Sequence, residues 1–254
     1  MVHAIEPLQD VPASPAVHDA ATDLAQQAGA LLLDLESQSQ HSGRSLSAEG
    51  DRRSNQFLLD ELARRFPDDP VRSEEGPDSP GGDRLWIVDP LDGSREYGER
   101  REDWAVHVAL AIGGRPDVGA IALPARGIVL GTAAPPPLPD VSPVPRLVVS
   151  RSRPPAVVTQ VAEGLGATII PMGSAGAKIA AVIVGDADIY VHAGGQYEWD
   201  SAAPVAVALA TGLHASRLDG SPLRYGLPDP WLPDLVVCHP SLAEPALAAL
   251  AGRG

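Results

Sequence analysis

Leu85-Trp86-Ile87-Val88-Asp89-Pro90-Leu91-Asp92-Gly93-Ser94 is the stretch on which the fold of this chain turns. An apolar run ends on a carboxylate, bends through proline and glycine, sets a second carboxylate three residues on and finishes on a hydroxyl. Leu85 to Val88 read as a short buried strand whose ladder Pro90 cannot continue. Gly93 permits a tight turn, and Ser94 reads as the N-cap of Arg95-Glu96-Tyr97. Two carboxylates and a carbonyl on one turn suit a hard, oxygen-seeking cation such as magnesium. Free N–H groups at a helix start suit a phosphate oxygen. Asp-Pro and Asp-Gly are also ordinary turn dipeptides, so taken alone the stretch reads equally as a plain turn.

Composition narrows the choice. A chain of 254 residues, 44% of them hydrophobic, can build one large or two modest domains with real cores. No apolar run approaches the roughly 20 residues of a membrane span. Met1 to Asp19 has no basic start followed by an apolar core, so the expectation is a cytoplasmic protein with no membrane partner. The single cysteine, Cys238, excludes an internal disulfide and reads as a buried core thiol. A formal charge of −14 argues against a nucleic-acid polymer as partner. It would also repel a small phosphate unless cations stood between, which is a separate pointer to bound metal.

Upstream, residues 1–18 look like a loose leader. Asp19 to Glu36 and about Ala48 to Phe66 carry apolar residues at helical spacing, which would put Asp51 in the first turn of the second helix, where it would also complement the helix dipole. Val71 to Gly76, with Glu74 and Glu75, is a short strand entering a loop. Downstream, Trp104–Ile112, Val118–Leu123 and Ile128–Thr132 form a meander pattern, with His107 as a sheet or core residue. Residues 19–132 are therefore expected to be an α+β domain. Residues 133–145, with six prolines, are the expected linker. From 146 to 254 strands and helices alternate, an α/β pattern. In it Arg146–Ser150 and Ala167–Pro171 are strands, and Gly173-Ser174-Ala175-Gly176 opens a helix. Asp200 stands at the start of another, and Ser241 caps the last.

Glu74-Glu75, the Trp86-to-Ser94 stretch and Trp199-Asp200, in that order, resemble the signature set of the inositol monophosphatase superfamily, magnesium-dependent and lithium-sensitive phosphomonoesterases. The likeness covers most of the chain after the leader. It implies a layered αβαβα sandwich, α+β and α/β, with two subdomains and the metal site between them. Within the superfamily the likeness is nearest to the CysQ-type 3′-phosphoadenosine 5′-phosphate phosphatases of sulfur assimilation. It rests there on Ser94-Arg95-Glu96-Tyr97, Ser150-Arg151-Ser152, Gly173 to Lys178, and Asp219 to Tyr225. Ala193 stands where the inositol branch has an acid seven residues before the Trp-Asp aspartate, although Glu198 is close by.

The resemblance implies a ligand set. Glu74, Asp89 and the Leu91 carbonyl would hold one magnesium, Asp89 would bridge to a second completed by Asp92 and Asp200, and a third could sit near Glu74. Water oriented by Ser94 and by Asp51 or Glu74 would attack phosphorus, with the Gly93 and Ser94 N–H groups steadying the phosphate. Five acids in one cleft (Asp51, Glu74, Asp89, Asp92, Asp200) would raise their own pKa values until cations reversed the local sign. A small phosphorylated nucleotide would also need contacts for its second phosphate and base. Ser174, Lys178, Arg151, Arg95 and Arg224 are candidates for the former and Tyr197 for the latter. An inositol phosphate or fructose 1,6-bisphosphate phosphatase, and a catalytically inactive phosphate- or nucleotide-sensing protein, are the other readings. Relatives in the family supply a homodimer as one assembly to expect.

Overall fold

A computed structural model describes residues 12–77, 81–152 and 157–251. Two helices open the chain, α1 (Pro15–Gln38) and α2 (Arg44–Arg65), both longer than their apolar spacing predicts. The helix of α1 starts at Pro15, so the expected leader is helical from that point, while residues 1–11 lie outside the described residues. Proline at the first helical position costs nothing, because its missing N–H would be unpaired there. Because α2 begins at Arg44, Asp51 falls well inside the helix and not in its first turn.

A first five-stranded sheet follows: β1 (Val71–Ser73), β2 (Arg84–Asp92), β3 (Ala105–Ile112), β4 (Arg115–Leu123) and β5 (Ile128–Gly131), in spatial order 1-2-3-4-5. β1 runs parallel to β2 and the remaining pairs are antiparallel. Strand β2 corrects the sequence expectation, since it continues through Pro90 to Asp92. It does so by a bulge. Asp89 pairs with His107 and Asp92 with Ala105, so β2 spends one more residue than β3 over that interval. Proline is tolerated at a bulge because no ladder N–H is required there. Pro116 exploits a second register shift, which lets β4 begin at Arg115 and leaves Gly113-Gly114, both with positive φ, as the hairpin turn.

Residues 132–145 carry no helix or strand. Beyond them lie β6 (Arg146–Ser150), α4 (Val157–Leu165), β7 (Thr168–Met172), α5 (Ala175–Ile183) and β8 (Ile189–Tyr197). A 3-10 turn (Glu198–Asp200), α6 (Ala202–Thr211), β9 (His214–Ser216), β10 (Trp231–Cys238) and α7 (Pro240–Ala251) complete the fold. The second sheet has the order 7-6-8-10-9, with β6 parallel to both β7 and β8 and the other pairs antiparallel. Asp200 closes the 3-10 turn, two residues before the helix it was expected to start. Ser241 lies inside α7, and its N–H is accepted by His239 Nδ1, so the histidine does the capping.

Burial sorts these elements into five layers. Trp86, Val88, Val108 and Leu110 face α1 and α2, whereas Leu85, Ile87, Ala109 and Ala111 face α5 and α6. That alternation is the period of two expected of a sheet covered on both sides. The second sheet meets α5 and α6 on one face and α4 and α7 on the other, where Cys238 is buried. The layered α/β/α/β/α arrangement is thus present. The central layer is thin because its contacts are small. A Cβ built on Gly119 of β4 would stand 2.5 Å from the Ala203 carbonyl oxygen and 2.6 Å from Ala206 Cβ of α6. Gly119→Val should therefore force α6 off the sheet and destabilise the fold by about 2–3 kcal/mol, a fall in melting temperature of roughly 5–10 °C for a chain of this size. An unchanged thermal transition would show that the helix does not rest on that strand.

Candidate active site

The bulge in β2 is where chemistry collects. Asp89 and Asp92, both buried, flank Pro90-Leu91, and Asp200 arrives from the 3-10 turn after β8. One ligand oxygen from each of these three acids lies within 4.8 Å of the others. Glu74, just past β1 at the exposed rim, shares a hydrogen bond with Asp89, and the charges of Asp200, Asp92 and Asp51 act on it. The residues gathered from Glu74 to Asp200 are 126 positions apart in sequence.

Helix α2 supplies the remaining acid and holds the turn. Asp51, Ser54 and Asn55 share a helical face by their spacing. Asp51 Oδ1 accepts from Ser94 Oγ (3.1 Å), Ser54 Oγ donates to the Pro90 carbonyl (2.7 Å), and Asn55 Oδ1 accepts from Ser73 Oγ (2.7 Å). Ser94 is thereby occupied. It opens the short helix α3 (Ser94–Gly98), while Gly93, with φ of 88°, takes the N-cap position, correcting the expected cap. The Ser94 hydroxyl has one proton and two acceptors, Asp51 and the Leu91 carbonyl at 3.0 Å.

Asp92 is held from the far side by α5. Ser174 Oγ and Gly176 N donate to Asp92 Oδ2, and Ala175 N donates to Oδ1 at 3.2 Å. A helix N-terminus thus points its free N–H groups at a carboxylate, the favourable sense of the helix dipole. Ser174 is also the true N-cap of α5, accepting from Ala177 N. His107 stands behind this contact with Nε2 3.4 Å from Asp92 Oδ2 and Nδ1 3.0 Å from the Trp199 carbonyl. Burial holds its pKa down. Gly176 is required there, since a Cβ would fall 1.9 Å from His107 Nε2. His107 reads in the sequence as one more sheet residue; its place beside Asp92 depends on a register the sequence does not display.

The candidate basic residues are engaged largely with other groups. The buried Lys178 ammonium donates to the carbonyls of Gly173 and Ser174 and lies 5.3 Å from the Tyr190 ring centroid. Arg151 Nη2 donates to Glu96 (2.7 Å) and Glu99 (3.3 Å), and Arg95 pairs with Glu99 at 2.9 Å. Arg224 lies on the surface beside Gly114, at the opposite end of β2 from Asp92. Tyr197 stacks on Trp199 at 4.7 Å and meets Trp231 edge-on at 5.5 Å. Its N–H donates to Asp200 Oδ2. Glu198 turns inward to a buried ion pair with Arg72.

The acids strain against one another. Removal from water pushes Asp51 up to about 7, with Glu75 adding repulsion. Desolvation and then its acidic neighbours push Glu74 to about 7, and desolvation with Asp92 does the same for Asp200. Buried Asp89 is also raised well above the ordinary carboxylate range, by desolvation and by Glu74, Asp92 and Asp200. All donors are oxygens, the set a hard divalent cation prefers, and the nearby Lys178 charge lowers Asp200 without cancelling its rise. The cluster could hold a metal.

The sequence pattern of the inositol monophosphatase family matches residues 13–135 and 145–252. This chain belongs to that family. It is 48% identical over 223 residues to the 3′-phosphoadenosine 5′-phosphate phosphatase of Mycobacterium bovis, covering 82% of each chain. To the protein of the same name from Mycobacterium leprae it is 44% identical over 251 residues, covering 91% of this chain and 92% of the relative. Among solved structures, CysQ from Bacteroides thetaiotaomicron superposes with a TM-score of 0.76 at 28% identity, over 89% of this chain and 97% of that one.

Raised carboxyl pKa values mean that the metal-free fold binds more protons than the unfolded chain between about pH 4 and 7. Its stability contribution from these groups is full below the ordinary carboxylate range and is lost as pH rises through about 7. A divalent cation bound by the cluster would replace those protons. The rise in melting temperature on adding magnesium chloride should be small at pH 5.5 and much larger at pH 8; equal shifts at both would contradict the clustering of acids described above.

Proposed function

We propose that this protein removes the 3′-phosphate of 3′-phosphoadenosine 5′-phosphate, giving adenosine 5′-phosphate and inorganic phosphate, with two or three magnesium ions. The convergence of Asp89, Asp92 and Asp200 on one point carries the phosphomonoesterase reading. The names of relatives at 44–48% identity carry the choice of substrate. Glu74, Asp89 and the Leu91 carbonyl would hold one ion, and Asp89, Asp92 and Asp200 the other. Bound there, magnesium neutralises the phosphoryl oxygens and makes water acidic enough to deprotonate near neutral pH.

The residues around it have separate tasks. Ser94, fixed by Asp51 and the Leu91 carbonyl, orients the attacking water. Asp51, which accepts from Ser94 Oγ, or Glu74 takes the proton of that water as its oxygen bonds to phosphorus. The bond to the ribose 3′ oxygen breaks on the side of Asp200 and Asp92, where a cation held by those acids would stabilise the leaving oxygen until it takes a proton from solvent water, balancing the proton that Asp51 or Glu74 accepted. Gly93 and Ser94 N–H groups steady the phosphate. Arg151, Ser174 and Lys178 contribute through the protein, by bracing α3 and the turn that caps Asp92.

The base is met by rings. Tyr197 and Trp231 are exposed by 44% and 47%, in a chain whose Trp86, Trp104, Tyr97, Tyr190 and Tyr225 are fully buried. Tyr197 N donates to Asp200 and the Tyr197 ring meets Trp231, and a stacked purine would cover both rings. An inositol ring would find no acid at Ala193, and Glu198 is engaged with Arg72. The setting in this reading is the cytoplasm, the assembly a homodimer, and residues 133–145 the joint between two subdomains.

Phosphate release from 3′-phosphoadenosine 5′-phosphate, inositol 1-phosphate and fructose 1,6-bisphosphate, each with and without magnesium, tests the assignment. The nucleotide should be preferred strongly and only with metal; equal rates on all three would defeat the substrate reading. Asp92→Asn should cut turnover by about three orders of magnitude or more, as loss of a metal's charge stabilisation implies, with the fold retained. Trp231→Ala should raise KM for the nucleotide about tenfold, the loss of one base–aromatic stack, and leave kcat near wild type.

A further inference from the structure

The residues two positions before Glu74 and two positions before Asp200 are Arg72 and Glu198. Their side chains are each 3% exposed and form an ion pair, Arg72 Nη1 donating to Glu198 Oε1. The same guanidinium nitrogen donates to the Leu227 carbonyl (2.7 Å). The second carboxylate oxygen accepts from Gly226 N (2.8 Å), and Glu198 N donates to the Pro230 carbonyl (2.9 Å). Charges of opposite sign therefore meet in the interior two residues along the chain from two acids that repel each other.

We propose that the Arg72–Glu198 pair is a positioning clasp that fixes the separation of Glu74 and Asp200 and thereby sets the affinity of the cluster for divalent cations. The proposal rests on the metal reading given above. Glu74 follows the first sheet and Asp200 follows a strand of the second, so no shared hydrogen-bond ladder sets their spacing. Repulsion would widen the gap whenever no cation fills it. A buried ion pair suits the opposing role better than an apolar contact, because its hydrogen bonds fix direction as well as distance. It adds little net stability over a well-packed apolar pair, which leaves register as its use. The loop at 226–230 locks both partners in orientation.

Stability and positioning can be separated experimentally. Glu198→Gln leaves Arg72 buried beside a neutral partner and should lower both the melting temperature and the affinity for Mn2+ measured by titration calorimetry. The double variant Arg72→Met, Glu198→Met leaves no unpaired charge, and its melting temperature should return close to wild type. Its Mn2+ dissociation constant should nevertheless stay raised about tenfold or more, the usual effect of losing a group that orients metal ligands. Wild-type Mn2+ affinity in the folded double variant would overturn the proposal and leave the pair a purely structural one. If the double variant does not fold, Glu198→Asp decides, since it keeps the charge but shortens the reach. Weakened Mn2+ binding at a retained melting temperature supports the clasp, and unchanged binding overturns it. Absence of Mn2+ binding by the wild-type protein would instead defeat the metal reading itself.

Discussion

Mutual repulsion among carboxylates is the constraint that the rest of this molecule answers. Asp89, Asp92 and Asp200 crowd within a few ångströms, with Glu74 and Asp51 at their margin, and none of them would gather unaided. Each is therefore braced by a different element. Asp51 is carried on a long helix packed against β2. Asp89 and Asp92 are fixed by a proline bulge, and Asp92 is gripped again by the first N–H groups of α5. Asp200 is tied to its own turn through Tyr197 N.

The bracing crosses from one sheet to the other. Helix α5 packs against both sheets, so the hydrogen bonds it makes to Asp92 couple the acidic turn of the first sheet to the second. Arg151 repeats the link by reaching from the end of β6 to Glu96 and Glu99, and Asp103 does so by accepting from Gly173 N at 2.7 Å. A cleft assembled from both halves of a chain can respond as a unit when its charge changes. Proton release and cation binding are then two sides of one equilibrium.

Much of this was legible in the sequence, for a physical reason. The stretch from Leu85 to Ser94 combines an apolar strand, a turn and two acids within ten residues, so local chemistry shows through. Trp199-Asp200 and Glu74-Glu75 add two more of the acids in family order, and the layered fold follows from the same likeness. What stayed hidden depends on long-range packing. Lys178 looks like a phosphate contact in the sequence, yet in the fold its ammonium caps the Gly173 and Ser174 carbonyls. Ser94 looks like a cap and is instead the partner of Asp51. The Arg72–Glu198 pair spans 126 positions, and no periodicity announces such a contact. His107 needed the β2–β3 register before it could be placed beside Asp92.

The central claim is that these acids converge in order to share divalent cations. Anomalous diffraction from crystals grown with Mn2+ tests it most directly. The account predicts anomalous peaks bridged by Asp89, with Asp92 and Asp200 around one and Glu74 with the Leu91 carbonyl around another. Ordered carboxylates at those positions with no anomalous peak between them, at saturating Mn2+ and pH 8, would contradict it.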